Sequence, residues 1–291
     1  MSDDYTHLGP AAREAIDCSA EERIIRINSR RFTDYPRCRS VLEMMTGQLA
    51  QPKGTLKPNL LIWGESGQGK STIIKKHMRE HVPVFDEIAG IRHTPVVGIE
   101  MPPMCDVRWF YGDLLRAIDA PVDSSSRGVR SALVERIMQL YQILGVRQIV
   151  IDEAHNMLVG TVNQQRAMLA AIRHISNQLE VPLVLVGTRD AREALMHDRQ
   201  LTRRFRFLEL PVWKEGQEFD ALVGSVLRSF PLRRPSVVTP RALKTLVKHA
   251  EGITACVFEI LVNLGVRAIE TGEERITPAA IIEYTKLSAA A

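Results

Sequence analysis

The chain's 291 residues, 45% hydrophobic and 25% charged, exclude wholesale disorder and leave room for one large domain beside a smaller one. Lys and Arg total 38 against 34 acids, so the formal charge of +4 permits a nucleic-acid partner without requiring one. Four cysteines, Cys18, Cys38, Cys105 and Cys256, form no C-x-x-C pair, which argues against a zinc ribbon or a disulfide framework.

In chain order, Met1 to Asp4 is acidic with no apolar run behind it. Nowhere do ~20 apolar residues follow one another. Neither a signal peptide nor a membrane span is expected, and the reading is a soluble, cytoplasmic protein. Residues 1–18 lack periodicity and read as a loose arm. Ser19 with Glu22 forms a capping box ahead of Ile24, Ile25 and Ile27, which predicts a short helix. A second helix starts at Pro36 and carries Val41, Leu42, Met45 and Leu49 on one face. Residues 51–58 read as a loop.

Short apolar strands then alternate with helices. Strands are expected at Asn59–Trp63, Pro95–Glu100, Gln148–Ile151, Leu183–Val186 and Arg206–Leu210. The helices between them run from Ser71 to about His81, from the Asp106 cap to Ile118, from Gly128 to Leu144 before Gly145, and from Val162 to Leu179. This order implies parallel β-α-β units in a three-layer α/β sheet. Beyond Pro211 only helices are expected, at Glu215–Ser229, Pro240–Ala250, Thr254–Ile269 and Pro278–Lys286, with a basic linker at Pro231–Pro235. The expected organisation is an N-terminal segment over 1–50, an α/β core over 51–211 and a small all-helical domain over 212–291.

Gly64-Glu65-Ser66-Gly67-Gln68-Gly69-Lys70-Ser71 matches G-x-x-x-x-G-K-[ST] between a strand and a helix, the context the motif requires. Its glycines let successive N–H groups face phosphate oxygens, and the helix N-terminus, continuing through Thr72, adds partial positive charge. Lys70 reaches the β- and γ-phosphates, and the Ser71 hydroxyl suits Mg2+. ATP and Mg2+ are therefore the expected cofactors. The run from Gln148 to Ile151 ends in Asp152 and Glu153, placing two acids where ligands bind open α/β sheets. Asp152 would complete the magnesium shell and Glu153 would orient or deprotonate the attacking water. Thr188, after Leu183–Gly187, is either a γ-phosphate or water contact or a plain strand end. Arg203 and Arg204, following a polar helix, read as a trans-acting arginine, a solvated turn or a contact to nucleic-acid phosphate.

His77 and His81 lie one helical turn apart, but Glu80 is wrongly placed for a zinc motif, and no metal site is expected there. His155 is a nucleotide sensor or a surface turn. Trp63, Trp109 and Trp213 read as core or interface.

These motifs with a helical tail resemble the AAA+ ATPases. Glu22-Arg23-Ile24, Tyr35-Pro36, Asn59–Ile62, Asp152-Glu153-Ala154-His155 and Gly187-Thr188 resemble the TniB proteins of bacterial transposons. So do Arg204-Phe205, Leu210-Pro211, Trp213, Phe230–Ser236 and Gly272–Ile276. TniB is related to TnsC and more distantly to MuB and IstB. The resemblance implies a nucleoid-associated transposition regulator that binds ATP and assembles as a ring or filament on double-stranded DNA. Its implied partners are a DDE transposase of the TniA or TnsB kind and a TniQ-like target-selection protein.

The resemblance implies roles for particular residues. Lys70 and Ser71 become the Walker A residues, Asp152 and Glu153 the Walker B residues, and Thr188 the first sensor. Arg204 becomes the arginine finger, with Arg203 as second choice. Many such helical domains carry a sensor arginine where Gly252–Cys256 offers none. Arg92, Arg108, Arg127 and Arg130 are the candidate DNA contacts. Two other readings stay open: a loader of a helicase or initiator, and a nucleotide-gated scaffold without turnover.

Overall fold

The computed structural model describes residues 5–29, 32–51, 58–122 and 130–288, the side chains of residues 199, 287 and 288 excepted. Residues 52–57 of the expected loop, the start of the helix expected from Gly128, and Arg127 lie outside that range. The elements in order begin with α1 (Pro10–Arg13), α2 (Ala20–Asn28), α3 (Pro36–Ala50), β1 (Asn59–Trp63) and α4 (Lys70–Glu80). Next come β2 (Val84–Asp86), β3 (Ile91–His93), β4 (Val96–Glu100), α5 (Val107–Arg116), α6 (Arg130–Ile143) and β5 (Gln148–Asp152). A 3₁₀ turn at Ala154–Leu158 leads to α7 (Val162–Leu179), β6 (Leu183–Gly187), α8 (Arg189–His197), α9 (Arg199–Thr202) and β7 (Phe205–Glu209). The chain closes with α10 (Gln217–Ser229), α11 (Pro240–His249), α12 (Thr254–Glu270) and α13 (Pro278–Ser288). No helix among the described residues is long and apolar enough to cross a membrane.

The chain divides into two compact units. One comprises Val41–Glu65 and Lys70–Leu210; the other comprises residues up to Ser40, the loop tip Ser66–Gly69, and Pro211 onward. The expected N-terminal segment is thus divided, residues up to Ser40 grouping with the C-terminal helices and Val41–Ala50 with the sheet.

In the sheet unit, five parallel strands take the order β4-β5-β6-β1-β7. Strands β5 and β6 are buried at every position, as expected for parallel strands covered on both faces. Leu61, Leu185 and Ile151 pair across the sheet and share a face with Ile149 and Leu183. Phe110 and Leu114 of α5, Ile137 and Tyr141 of α6, and Ile172 of α7 pack on that face. Helix α4 lies on the other. Its Met78 meets Gly98 so closely that an added Cβ there would stand 2.4 Å from Cε. The β2–β3 hairpin is antiparallel, lies outside the main sheet and is absent from the sequence reading. Three-residue strands are too short to leave an alternation signal, and both Val84 and Phe85 are exposed.

A buried polar node joins three elements of this unit. Gln148 Nε2 donates to Met45 O at 3.0 Å and to Gln48 Oε1 at 2.8 Å, which orients the amide. Its Oε1 therefore accepts from His77 Nε2 at 2.7 Å, fixing the neutral Nε2–H tautomer. His77 Nδ1 is buried with no partner among the described residues, so a second proton there would be stranded. Burial pushes the His77 pKa from 6.5 down to about 4, against the weaker pull of the Gln148 bond. Between those values the unfolded chain binds the proton and the folded chain does not. Stability is therefore complete above pH 6.5 and lost as pH falls towards 4, by up to about 3 kcal/mol. Urea unfolding of wild type and His77→Gln at pH 7 and pH 4.5 tests this. The variant should lose markedly less stability on acidification; equal losses would remove His77 as the cause.

In the helical unit, α2 begins with the expected capping box, Ser19 with Glu22. Residues 5–18 are not a loose arm. Leu8, Ala12 and Ile16 are buried at helical spacing around α1, and Gly9 N donates to Arg228 O at 2.8 Å. The four-residue α1 is too short to announce itself in the sequence. Arg23, 2% exposed, forks onto Glu274 with both contacts at 2.7 Å and donates a third bond to Pro231 O at 2.9 Å. Pro231 and Leu232, which open the expected Pro231–Pro235 linker, are thus packed and buried, while Arg233, Arg234 and Pro235 are exposed. Burial alone would raise the Glu274 pKa, but the Arg23 fork and the Arg233 amide outweigh it and hold the carboxyl below its usual range.

Candidate nucleotide-binding site

The phosphate-binding loop leaves the carboxyl end of β1, between β6 and β7. Gly64 opens it because nothing larger fits: an added Cβ would stand 2.3 Å from the Leu210 carbonyl oxygen. Gly67 at φ +77° and Gly69 at φ +85° give the left-handed turns that curl the backbone. Lys70 then starts α4, whose first-turn N–H groups have no intrahelical acceptor. Its Nζ donates to Gly64 O and Glu65 O, each at 2.8 Å. Burial lowers the Lys70 pKa, while the carboxylates of Glu153, Asp152 and Glu65 pull it back up. That opposition records how near the acid pair lies. Ser71 is half-buried and Thr72 exposed at the head of the helix.

Asp152 is the last residue of β5, one position further than the sequence predicts, and is 6% exposed. Its Oδ1 accepts the Glu153 amide at 2.8 Å. Glu153 sits at φ 53°, ψ 36°, a left-handed conformation costing a non-glycine residue about 1 kcal/mol or more. Such strain clusters at functional positions, and here it turns the chain off the strand end into the 3₁₀ segment. His155 Nδ1 lies 3.4 Å from Glu153 Oε2, within ion-pair range but without hydrogen-bond geometry.

Thr188 follows β6, the strand between β5 and β1. Trp63 pairs with Gly187 and Ile151 with Leu185, so Thr188 emerges between the loop and the acids. Its Oγ1 is buried with no partner among the described residues and does not cap α8. An unpaired buried hydroxyl costs roughly 1–3 kcal/mol, which a ligand oxygen would relieve. The hard oxygen donors of Ser71 and Asp152 fit a magnesium ion.

Arg203 and Arg204 belong to a different place. Both are exposed just before β7, and Phe205 pairs with Asn59 at the start of β1. The arginines therefore stand at the amino edge of the sheet, about 15 Å along five-residue strands from the carboxyl edge. The Arg204 guanidinium bonds Asn177 Oδ1.

Two of the described candidate DNA contacts, Arg92 and Arg108, sit near opposite ends of α5. Arg92 on β3 pairs with Asp119 at 2.7 Å, just past the end of α5, whereas Arg108 is near the start of that helix. Arg130, exposed at the start of α6, lies close enough to Tyr111 to oppose the rise that burial gives its pKa. Of the tryptophans, Trp213 is buried, Trp63 half-buried under the Arg192 guanidinium at 4.9 Å, and Trp109 is 44% exposed.

Some site-adjacent residues leave no sequence signal as such. The Tyr35 hydroxyl lies 3.7 Å from where a Cβ on Gly69 would be. Tyr35 meets Trp213 edge-on at 5.6 Å, and the Arg37 guanidinium stacks on Trp213 at 3.8 Å. The Tyr35-Pro36 pair was visible only through family resemblance.

The chain is similar to several solved structures. It matches the ORC2 protein of Aeropyrum pernix in its ADPNP-ADP complexes at 16% identity and a TM-score of 0.61, covering 90% of this chain and 71% of that one. For the ORC1 protein of the same organism in complex with DNA, the values are 19%, 0.59, 92% and 69%. For a Walker-type ATPase of Pyrococcus abyssi they are 15%, 0.55, 91% and 76%. At such identities the likeness carries the fold alone, a parallel α/β sheet core with a phosphate-binding loop, followed by a helical region. No curated protein matches the chain. The family model described as "Bacterial TniB protein" matches residues 23–215. The chain therefore belongs to the bacterial TniB family.

Proposed function

We propose that this protein is an ATP-dependent regulator of DNA transposition that assembles on double-stranded DNA and hydrolyses ATP to control its release. The observation that carries the nucleotide half is the convergence at one sheet edge of Lys70, the Asp152–Glu153 pair and the Thr188 hydroxyl, which has no partner among the described residues. The loop N–H groups and Lys70 bind and orient the β- and γ-phosphates. Mg2+, held by Ser71 and Asp152, supplies charge neutralisation on the phosphate oxygens when bound. Glu153 orients the attacking water and takes its proton, and Thr188 holds that water or a γ-phosphate oxygen. Arg204, remote from its own chain's loop, acts on a neighbouring subunit's site.

The transposition half rests on membership of the TniB family and on what the resemblance to TnsC-type regulators implies: recruitment of a DDE transposase, aided by a TniQ-like protein. DNA binding is supported by the mild positive charge and by the DNA complexes of the similar A. pernix ORC1 protein and Drosophila ORC. The test is assembly. Light scattering or electron microscopy should show rings or filaments on duplex DNA with a non-hydrolysable ATP analogue and none without it. Affinity should fall steeply as salt rises. Assembly indifferent to nucleotide would refute the reading.

A further inference from the structure

Within the helical unit, the tip of the phosphate-binding loop is fastened to the first turn of α12. Gln68, between two left-handed glycines, is 2% exposed and uses both ends of its amide. Nε2 donates to Gly252 O at 2.9 Å, and Oε1 accepts from Thr254 Oγ1 at 2.7 Å. The Thr254 oxygen accepts in turn from Trp213 Nε1 at 2.8 Å. An indole nitrogen only donates, so the order Trp213 to Thr254 to Gln68 has one direction. All three side chains are buried.

A separate contact ties the backbones. Ile253, preceding α12, has no side-chain acceptor for the helix's first N–H groups. The Gly67 carbonyl takes that part, accepting from Ala255 N at 2.9 Å. The approach leaves no room: an added Cβ on Gly67 would stand 2.8 Å from Ile253 Cγ2.

Gln68 lies in the stretch whose backbone N–H groups must face phosphate. Holding its side chain from both ends sets the direction of those groups before a ligand arrives. We infer that Gln68, Thr254 and Trp213 are positioning residues that preset the loop tip and make the start of α12 respond to nucleotide. The coupling is reciprocal, since whatever α12 does for nucleotide affinity, nucleotide must do for α12. In place of the arginine absent from Gly252–Cys256, a neutral hydrogen-bond relay connects loop and helix. The inference rests on the nucleotide-site reading above.

The full chain is titrated with a non-hydrolysable ATP analogue, and hydrogen exchange is followed over Ala255–Phe258 with and without it. In wild type the analogue should slow exchange there. Thr254→Val should weaken binding about tenfold and abolish the added protection even at saturation. Thr254→Ser, which keeps the hydroxyl, should restore both. The double variant Gln68→Ala/Thr254→Val should bind little worse than Gln68→Ala alone, because the two act as one unit. Should Thr254→Val fail to fold, Trp213→Phe removes the indole N–H together with part of the buried ring and should weaken binding about threefold or more. Variants that bind and protect like wild type overturn this inference and leave the nucleotide site standing. A wild-type chain that does not bind the analogue overturns both.

Discussion

Glu153→Gln is expected to bind ATP within a few-fold of wild type while losing about 10²- to 10⁴-fold in turnover, the usual contribution of a positioned general base. The amide keeps the size of the carboxylate, so the left-handed turn at φ 53° and the Glu153 amide bond to Asp152 should survive. What disappears is the acceptor for the water's proton. Under the proposed function, in which assembly needs nucleotide bound and release needs it hydrolysed, the variant should also accumulate on DNA. Steady-state phosphate release measured beside analogue binding separates the two properties. Unchanged turnover would exclude Glu153 as the base.

Arg204→Ala should cost about 10³-fold in turnover with DNA present, in the range of other trans-acting arginines, and leave binding by the isolated chain intact. The guanidinium starts at the amino edge of the sheet, while Lys70 and the acids gather at the carboxyl edge. A subunit therefore cannot serve its own nucleotide with this residue. Complementation tests the point directly. Arg204→Ala retains an intact loop, and Lys70→Ala retains an intact arginine. Each should be inactive alone, and a mixture should recover part of the activity. No recovery from two folded, assembling variants would place the arginine's role elsewhere, with Arg203 the next candidate.

The sheet was readable because β5 and β6 are continuous apolar runs ending in Asp152 and Gly187-Thr188, a pattern that covered parallel strands impose. The phosphate loop was readable because its chemistry is local: eight consecutive residues, from Gly64 to Ser71, contain all of it. Short elements escaped. Helix α1 and the β2–β3 hairpin have four residues and three per strand, too few for any period to show. The run before Arg203 is expected as one polar helix and is in fact two, α8 and α9, parted at Asp198. The link from Gln68 to Thr254 spans 186 positions and depends on packing that no spacing rule encodes. Gly252–Cys256 showed only a missing arginine, because a neutral threonine carries no signature of a partner so distant in the chain.

The node around Gln148 acts on the site from the far end of the sheet. Gln148 opens β5 and Asp152 closes it, about 13 Å along the strand. His77 lies seven residues into α4 from Lys70, about 10 Å along the helix. One hydrogen bond, His77 to Gln148, therefore clamps two rods at their lower ends, and their upper ends carry the acid and the lysine. A slip of β5 by one residue would turn Gln148 to the opposite face and break the clamp. The node works as a ruler: it sets how high the carboxylate stands beside the ammonium, a full strand's length from any phosphate.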